Sequence, residues 1–270
     1  MIPNVLSIAG SDPSGGAGIQ ADLKAISANG GYAMAAVTAL TAQNTQGVRA
    51  VSLTDPQMLS DQIAAIRDDI RIDAIKIGML GSAQNVATVA SALSDIDAPI
   101  VLDPVMVAKG GDRLLDPDAV AALRDLLAPM ATVLTPNLPE AGDLLGLPAG
   151  TDRDAMAEQA QALCALGCAA VLLKGGHLDG PDSPDFLLGA DEAVWFESRR
   201  HSTRNTHGTG CTLSSALAAQ LGQGKALHPA VIAAKAYISA AILRADDLSV
   251  GSGHGPVHHF HAFQRGSSQT

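Results

Sequence analysis

Short apolar runs alternate along this chain with longer amphipathic stretches, and that alternation predicts a βαβα order. Val5 to Ala9, Ala33 to Ala42, Ala74 to Ile77, Ile100 to Leu102, Thr132 to Leu134 and Ala169 to Leu173 are rich in aliphatic and β-branched residues and predict strands. Helical stretches separate most of them. Two carry start signals, Asp55-Pro56 ahead of 57–69 and Asp116-Pro117 ahead of 118–128, because Asp can cap free N–H groups and proline fits a first helical turn. Strands that alternate with helices run parallel, so the expected fold class is α/β, a mostly parallel sheet with helices on both faces. No linker or compositional break interrupts the pattern, so 1–265 reads as one domain and 266–270 as a frayed tail. The segment 175–205 departs from it. Gly, Pro and Asp surround Phe186-Leu187-Leu188 and Val194-Trp195-Phe196, which predicts a hairpin with mobile loops, able to fold over a site.

Composition narrows the partners. Against 17 basic residues stand 27 acidic ones, giving a net charge of -10, and aromatics make up 3% of the chain. That surface suits neither a phosphodiester backbone nor stacked bases, so no nucleic-acid partner is expected. No apolar segment approaches the ~18 residues of a membrane span, so no membrane association is expected either. Met1-Ile2-Pro3-Asn4 leads into the first strand without a basic leader, and the cysteines number three. Both point to a cytoplasmic protein with free thiols.

Candidate chemistry gathers where the strands end, since open parallel sheets bind ligands beyond their carboxyl edges. The six predicted strands exit into Gly10-Ser11-Asp12, Gln43-Asn44, Gly78-Met79, Asp103-Pro104, Thr135-Pro136-Asn137 and Lys174-Gly175-Gly176. Asn205-Thr206-His207-Gly208-Thr209-Gly210-Cys211, ahead of an apolar helix, reads as an anion trap. Gly208 and Gly210 let the backbone present bare N–H groups at a helix start, and Cys211 in the first turn would feel a field favouring its thiolate. Residues 16–21 fit the G-x-G-x-x-G/A dinucleotide template, yet no acidic residue lies between Asp22 and Asp55 to hold a ribose. A nicotinamide enzyme is therefore disfavoured. A glycine loop for a small ligand remains, with Asp22 expected to point back at it. A zinc site on His258 and His261 lacks neighbouring Cys or carboxylates, and a Cys211–His207 hydrolase would draw nucleophile and base from one tight loop.

These residues carry a family resemblance over nearly the whole chain. Ala9 to Lys24, Thr38 to Thr45, Lys76 to Leu80, Asp103 to Met106, Thr135 to Ala141, Lys174 to His177 and Asn205 to Cys211 occur in the order and spacing of the hydroxymethylpyrimidine/phosphomethylpyrimidine kinases of thiamine biosynthesis. The resemblance implies a ribokinase-like three-layer α/β/α fold and an ATP-dependent, Mg²⁺-assisted kinase acting twice on a small pyrimidine. It implies that Gly208, Thr209 and Gly210 form the anion hole and that Cys211 deprotonates or orients the attacking hydroxymethyl oxygen. By the same resemblance Lys174, Thr206 and Asn137 serve ATP, and Glu140 and Asp103 the metal. Gln43, Gly10, Met79 and Asp22 would bind the acceptor. One amide donor and one acceptor on Gln43 suit an aminopyrimidine edge. A homodimer is implied too. A pyridoxal kinase of the same fold and a non-catalytic small-molecule binder stay open as alternatives.

Overall fold

In the computed structural model, which describes residues 1–106 and 117–263, the apolar runs become strands of one sheet. They are β1 (Asn4–Ser11), β2 (Tyr32–Asn44), β3 (Gly47–Leu53), β4 (Ala74–Ile77), β5 (Ile100–Leu102), β6 (Val133–Leu134), β7 (Ala170–Lys174), β8 (Asp185–Gly189) and β9 (Ala193–Phe196). Their order is β3-β2-β1-β4-β5-β6-β7-β8-β9. From β2 through β7 the strands are parallel, and β3, β8 and β9 pair antiparallel at the two edges. The helices between them are α1 (Gly18–Ala28), α2 (Pro56–Asp69), α3 (Ala83–Leu93), α4 (Pro117–Ala122), α5 (Leu138–Leu145), α6 (Arg153–Cys164), α7 (Thr209–Gly222) and α8 (Leu227–Leu243).

Strand residues alternate between two apolar layers, as a period of two requires. Leu6, Ile8, Ile75, Ile77, Leu102, Leu134, Val171 and Leu173 pack with α2 to α6 on one face. Val5, Ala74, Val101, Val133, Ala170 and Leu172 pack with α1, α7 and α8 on the other. Three layers result, the α/β class expected. Between β1 and β4 the strand order reverses, β2 lying on one side of β1 and β4 on the other. The two connections leave this point in opposite directions and open a crevice at the strand tips.

Three expectations are adjusted. β3 was not anticipated; it returns antiparallel from β2 with mostly exposed residues, and its apolar positions 48, 50, 51 and 53 follow neither helical nor strand period. The helix expected over 118–128 ends as α4 at Ala122, continuing as a π turn over Leu123–Leu127 and a 3-10 turn over Ala128–Met130, where Pro129 has no N–H to extend it. Its cap Asp116 and the tail 266–270 lie outside the described residues. The segment 175–205 does form a hairpin, and its strands β8 and β9 extend the sheet beside β7.

Asp55 caps α2 as the sequence indicates, accepting from the N–H groups of Gln57 at 2.9 Å and Met58 at 3.4 Å, with Pro56 in the first turn. Asp55→Ala should cost about 1 kcal/mol and lower the thermal midpoint by about 2–4 °C, checked by urea and thermal unfolding.

Candidate active site

Two glycine-rich loops meet above the switch point. Gly208 has a left-handed φ of 75°, and a Cβ there would stand 1.8 Å from the carbonyl oxygen of Gly16. Gly18 has φ 55°, and a Cβ there would stand 2.3 Å from the Gly10 carbonyl oxygen. Only glycine permits both approaches. The consequence is that α1, starting at Gly18, and α7, starting at Thr209, begin side by side, each with unpaired N–H groups in its first turn. Thr206 supports the second start, its carbonyl accepting from Thr209 Oγ1 at 2.7 Å. Cys211 sits in the first turn of α7, partly exposed and beside the Gly18 N–H, which favours the charged form of its sulfur.

The acceptor side is mostly neutral. Gly10 leaves room for Met79, whose Sδ would be 3.1 Å from a Cβ at position 10. The Gln43 amide at the end of β2 lies 3.4 Å from His207 Nε2 and 3.2 Å from Thr41 Oγ1. Thr41 Oγ1 donates its one proton to the Ser11 carbonyl at 2.8 Å, so toward Gln43 it can only accept. His207 Nε2 holds one hydrogen at most, which Asp12 Oδ2 at 2.7 Å takes, so that nitrogen offers Gln43 no lone pair. The Gln43 NH₂ therefore belongs on Thr41 and its oxygen beside His207, leaving one donor and one acceptor lone pair for a ligand. Asp12 is itself held by the N–H of Ala17 and by Ser14. Burial raises the Asp12 carboxyl, but the hydrogen bonds from His207 and Ser14 outweigh it and hold the group below the usual carboxylate range.

On the other side stand the charges. Lys174 Nζ, at the tip of β7, is 2.9 Å from Asp103 Oδ1 and 3.9 Å from Glu140 Oε2. A Cβ at Gly210 would lie 3.2 Å from that ammonium and 3.6 Å from Asp103 Oδ2, so the start of α7 opens directly onto the pair. Asn137 and Glu140 form a reciprocal capping box on α5, with Glu140 Oε2 accepting from the Asn137 N–H at 2.8 Å. Burial pushes the Glu140 carboxyl up to about 7; Lys174 opposes this and Asp103 reinforces it. Two carboxylates against one ammonium leave this corner short of positive charge, with hard oxygen donors in reach, so its donor set fits a divalent cation such as Mg²⁺.

A strap from the C-terminal end binds the two sides. His254 N–H donates to the Thr45 carbonyl at 2.8 Å, two residues beyond Gln43, and the Gly253 N–H reaches Thr45 Oγ1 at 3.2 Å. Gly255 donates to Asn205 Oδ1 at 3.0 Å and accepts from the His207 N–H at 3.0 Å. His259 Nε2 meets Thr212 Oγ1 at 3.0 Å.

Gly208, Thr209, Gly210, Cys211, Lys174, Asp103, Asn137 and Glu140 thus share one rim with Gln43, Gly10 and Met79. Asp22 is the exception. Its carboxylate does not point back at the glycine loop but is fully buried beneath it, bound to Lys76, Ser7 and Ser215, because the helix turns that face toward the sheet. The expected thiolate is corrected as well: burial pushes the Cys211 thiol up to about 11, against the pull of Lys76 and of the Gly18 N–H. Thr41 and Lys76 were not singled out from the sequence, Asp12 was named only as a strand exit, and His207 only as the base of a disfavoured hydrolase. Lys76 had a visible signal, a charge inside an apolar strand.

In its strand order and rim chemistry this is the architecture of a ribokinase-like small-molecule kinase. The profile described as phosphomethylpyrimidine kinase matches residues 12–258. The hydroxymethylpyrimidine/phosphomethylpyrimidine kinase of Escherichia coli strain K12 is 51% identical over 261 residues, covering 96% of this chain and 98% of its own. That of Rhizobium meliloti is 52% identical over 256 residues, covering 95% and 96%. Among solved structures, an ADP complex of Bacillus subtilis pyridoxal kinase superposes with TM-score 0.90 at 38% identity, covering 98% of this chain and all of that one. A phosphomethylpyrimidine kinase from Clostridium difficile 630 gives 0.79 at 41%, covering 89% and 99%. The chain belongs to the phosphomethylpyrimidine kinase family. No helix among the described residues is long and apolar enough to cross a membrane.

The strap carries a pH dependence. Burial pushes the His259 imidazole down to about 4 from an ordinary 6.5, so its contribution to stability is complete above pH 6.5 and is lost as the pH falls toward 4. Urea unfolding should show a loss on the order of 2–3 kcal/mol across that window, absent in His259→Asn.

Proposed function

We propose that this chain is an ATP-dependent kinase that phosphorylates 4-amino-5-hydroxymethyl-2-methylpyrimidine and then its monophosphate, giving the diphosphate used for thiamine diphosphate. The observation that carries this reading is the Gln43 amide set 3.4 Å from His207, in the same loop that opens the anion-binding start of α7. An aminopyrimidine packed against the adjoining Gly10 and Met79 offers Gln43 a matching donor and acceptor. Its 5-hydroxymethyl oxygen then attacks the γ-phosphorus of ATP; the new O–P bond forms as the bond to ADP breaks.

Phosphoryl transfer has a loose transition state, so positioned donors matter more than a strong base. N–H groups of Gly208 and Gly210, together with the Lys174 ammonium, face the charge that gathers on the equatorial oxygens, while Thr209 spends its N–H and hydroxyl on the Thr206 carbonyl and fixes the turn. Thr206 and Asn137 line the nucleotide side. Glu140 and Asp103, partly through water, would hold Mg²⁺, which neutralises phosphate charge when bound. In the first step Cys211 orients the hydroxyl as a thiol, or receives its proton once the thiol has given its own to solvent. In the second, the acceptor oxygen is already anionic and needs no base.

Pyridoxal kinase is the second reading, supported by the likeness to the Bacillus subtilis enzyme. Incubation with Mg-ATP and either the aminopyrimidine or pyridoxal, followed by mass spectrometry, should give mono- and diphosphate of the pyrimidine; product from pyridoxal alone would reverse the order. Cys211→Ser should slow the first phosphorylation by about 100-fold and the second by no more than a few-fold. Equal losses would reduce Cys211 to a geometric role. Gln43→Ala should lower kcat/KM for the pyrimidine about 10- to 100-fold while leaving KM for ATP alone, read from steady-state kinetics. A homodimer belongs to the same reading. Leu40, Val51 and Leu53 expose apolar surface on the β2–β3 ribbon that an assembly would cover, and light scattering checks the mass.

A further inference from the structure

Among the described residues, the largest fully buried side chain is Lys76, in the middle of β4. Register sets it beside Ser7 of β1, in the layer that α1 and α7 cover. Its ammonium lies 2.9 Å from Asp22 Oδ2, and neither side chain has exposed surface. Asp22 accepts further from Ser7 Oγ and, through its other oxygen, from Ser215 Oγ, each at 2.7 Å. Four elements thus contribute to one closed polar cluster. Burying an ion pair costs about what the attraction returns, and apolar replacements are often as stable, so its presence at the switch point asks for a reason in the site above.

Helical geometry supplies one. Asp22 follows Gly18 by four residues in α1, and Ser215 follows Cys211 by four in α7, so each lies one turn below the N–H and the thiol that meet at the helix starts. The ammonium itself runs toward the strand exit: a Cβ at Gly78 would stand 2.5 Å from Lys76 Nζ. Only a glycine leaves that space, directly under the crevice floor.

We propose that Lys76 is a positioning residue for Cys211, its ammonium sharing the negative charge of the sulfur during proton transfer, with Asp22 fixing that ammonium and limiting its field. This rests on reading Cys211 as the proton acceptor. Burial is what most raises the thiol; Lys76 is the chief influence lowering it, while Asp22 and Asp103 raise it further. The remaining charge that faces Cys211, Lys174, is paired with Asp103, and Lys235 of α8 is paired with Asp185.

Two variants give opposite signs. Asp22→Asn keeps the shape and an acceptor for the serine hydroxyls but frees the Lys76 charge; Lys76→Met keeps the stem and leaves the carboxylate uncompensated. The rate of Cys211 alkylation by iodoacetamide is followed from about pH 6 to 10 and localised by peptide mass spectrometry, with no nucleotide or acceptor present. At pH 7, Asp22→Asn should react about tenfold faster than the parent and Lys76→Met about tenfold slower, one pKa unit each way. The pH profile of the first phosphorylation should move with the thiol and that of the second should not. Changes of the same sign in both variants, as simple loosening would give, or no change in either, overturn the proposal. If Lys76→Met fails to fold, the rate in Asp22→Asn decides alone. Because the thiol is read without substrate, the outcome stands apart from which vitamin precursor the enzyme uses.

Discussion

The approach of two backbones at Gly16 and Gly208 is the constraint on which the site depends. A side chain at position 208 would meet the Gly16 carbonyl at 1.8 Å, so two helix starts can share one space only because both loops lack side chains there. Unpaired N–H groups at a helix start attract anions without a cationic side chain. Bringing two such starts together doubles that capacity and places the Gly18 N–H against the Cys211 sulfur. Everything else on the rim is arranged around that junction: His207 touches it from one side, Lys174 and Asp103 from the other.

The arrangement separates two kinds of recognition. Around Gln43 stand Thr41, whose proton goes to Ser11, and His207, held by the ionised Asp12, which together favour one orientation of the amide before any ligand arrives. A fixed amide reads a ring edge with little loss of freedom. Around Lys174 the groups are charges, incompletely balanced, and a carboxyl lifted to about 7 marks a corner that gains from added positive charge. Neutral preorganisation suits a pyrimidine, and an unbalanced carboxylate corner suits a metal–nucleotide complex.

Much of the scaffold was legible in the chain. The six parallel strands were placed to within two residues because a strand buried on both faces is a continuous apolar run bounded by polar turns. Edge strand β3 escaped, since its exposed residues obey no period. The rim residues were legible through position: polar groups just beyond successive strand ends must converge in a doubly wound sheet. Asp22 and Cys211 were read from chain position alone, Asp22 as following a glycine loop and Cys211 as lying in a first helical turn, without the burial that acts on them.

The sequence by itself determined the strand and helix order, the places where only glycine fits, and the set of groups at the sheet's carboxyl edge. These follow from local periodicity and from the conformational freedom of single residues. Tertiary structure alone decided that the Asp22 carboxylate faces Lys76 instead of a ligand, that His207 lies beside Gln43, and that burial raises the Cys211 thiol. Each of those depends on how much water has been removed and which distant side chain replaces it, and desolvation is a property of the packed layers, not of any segment.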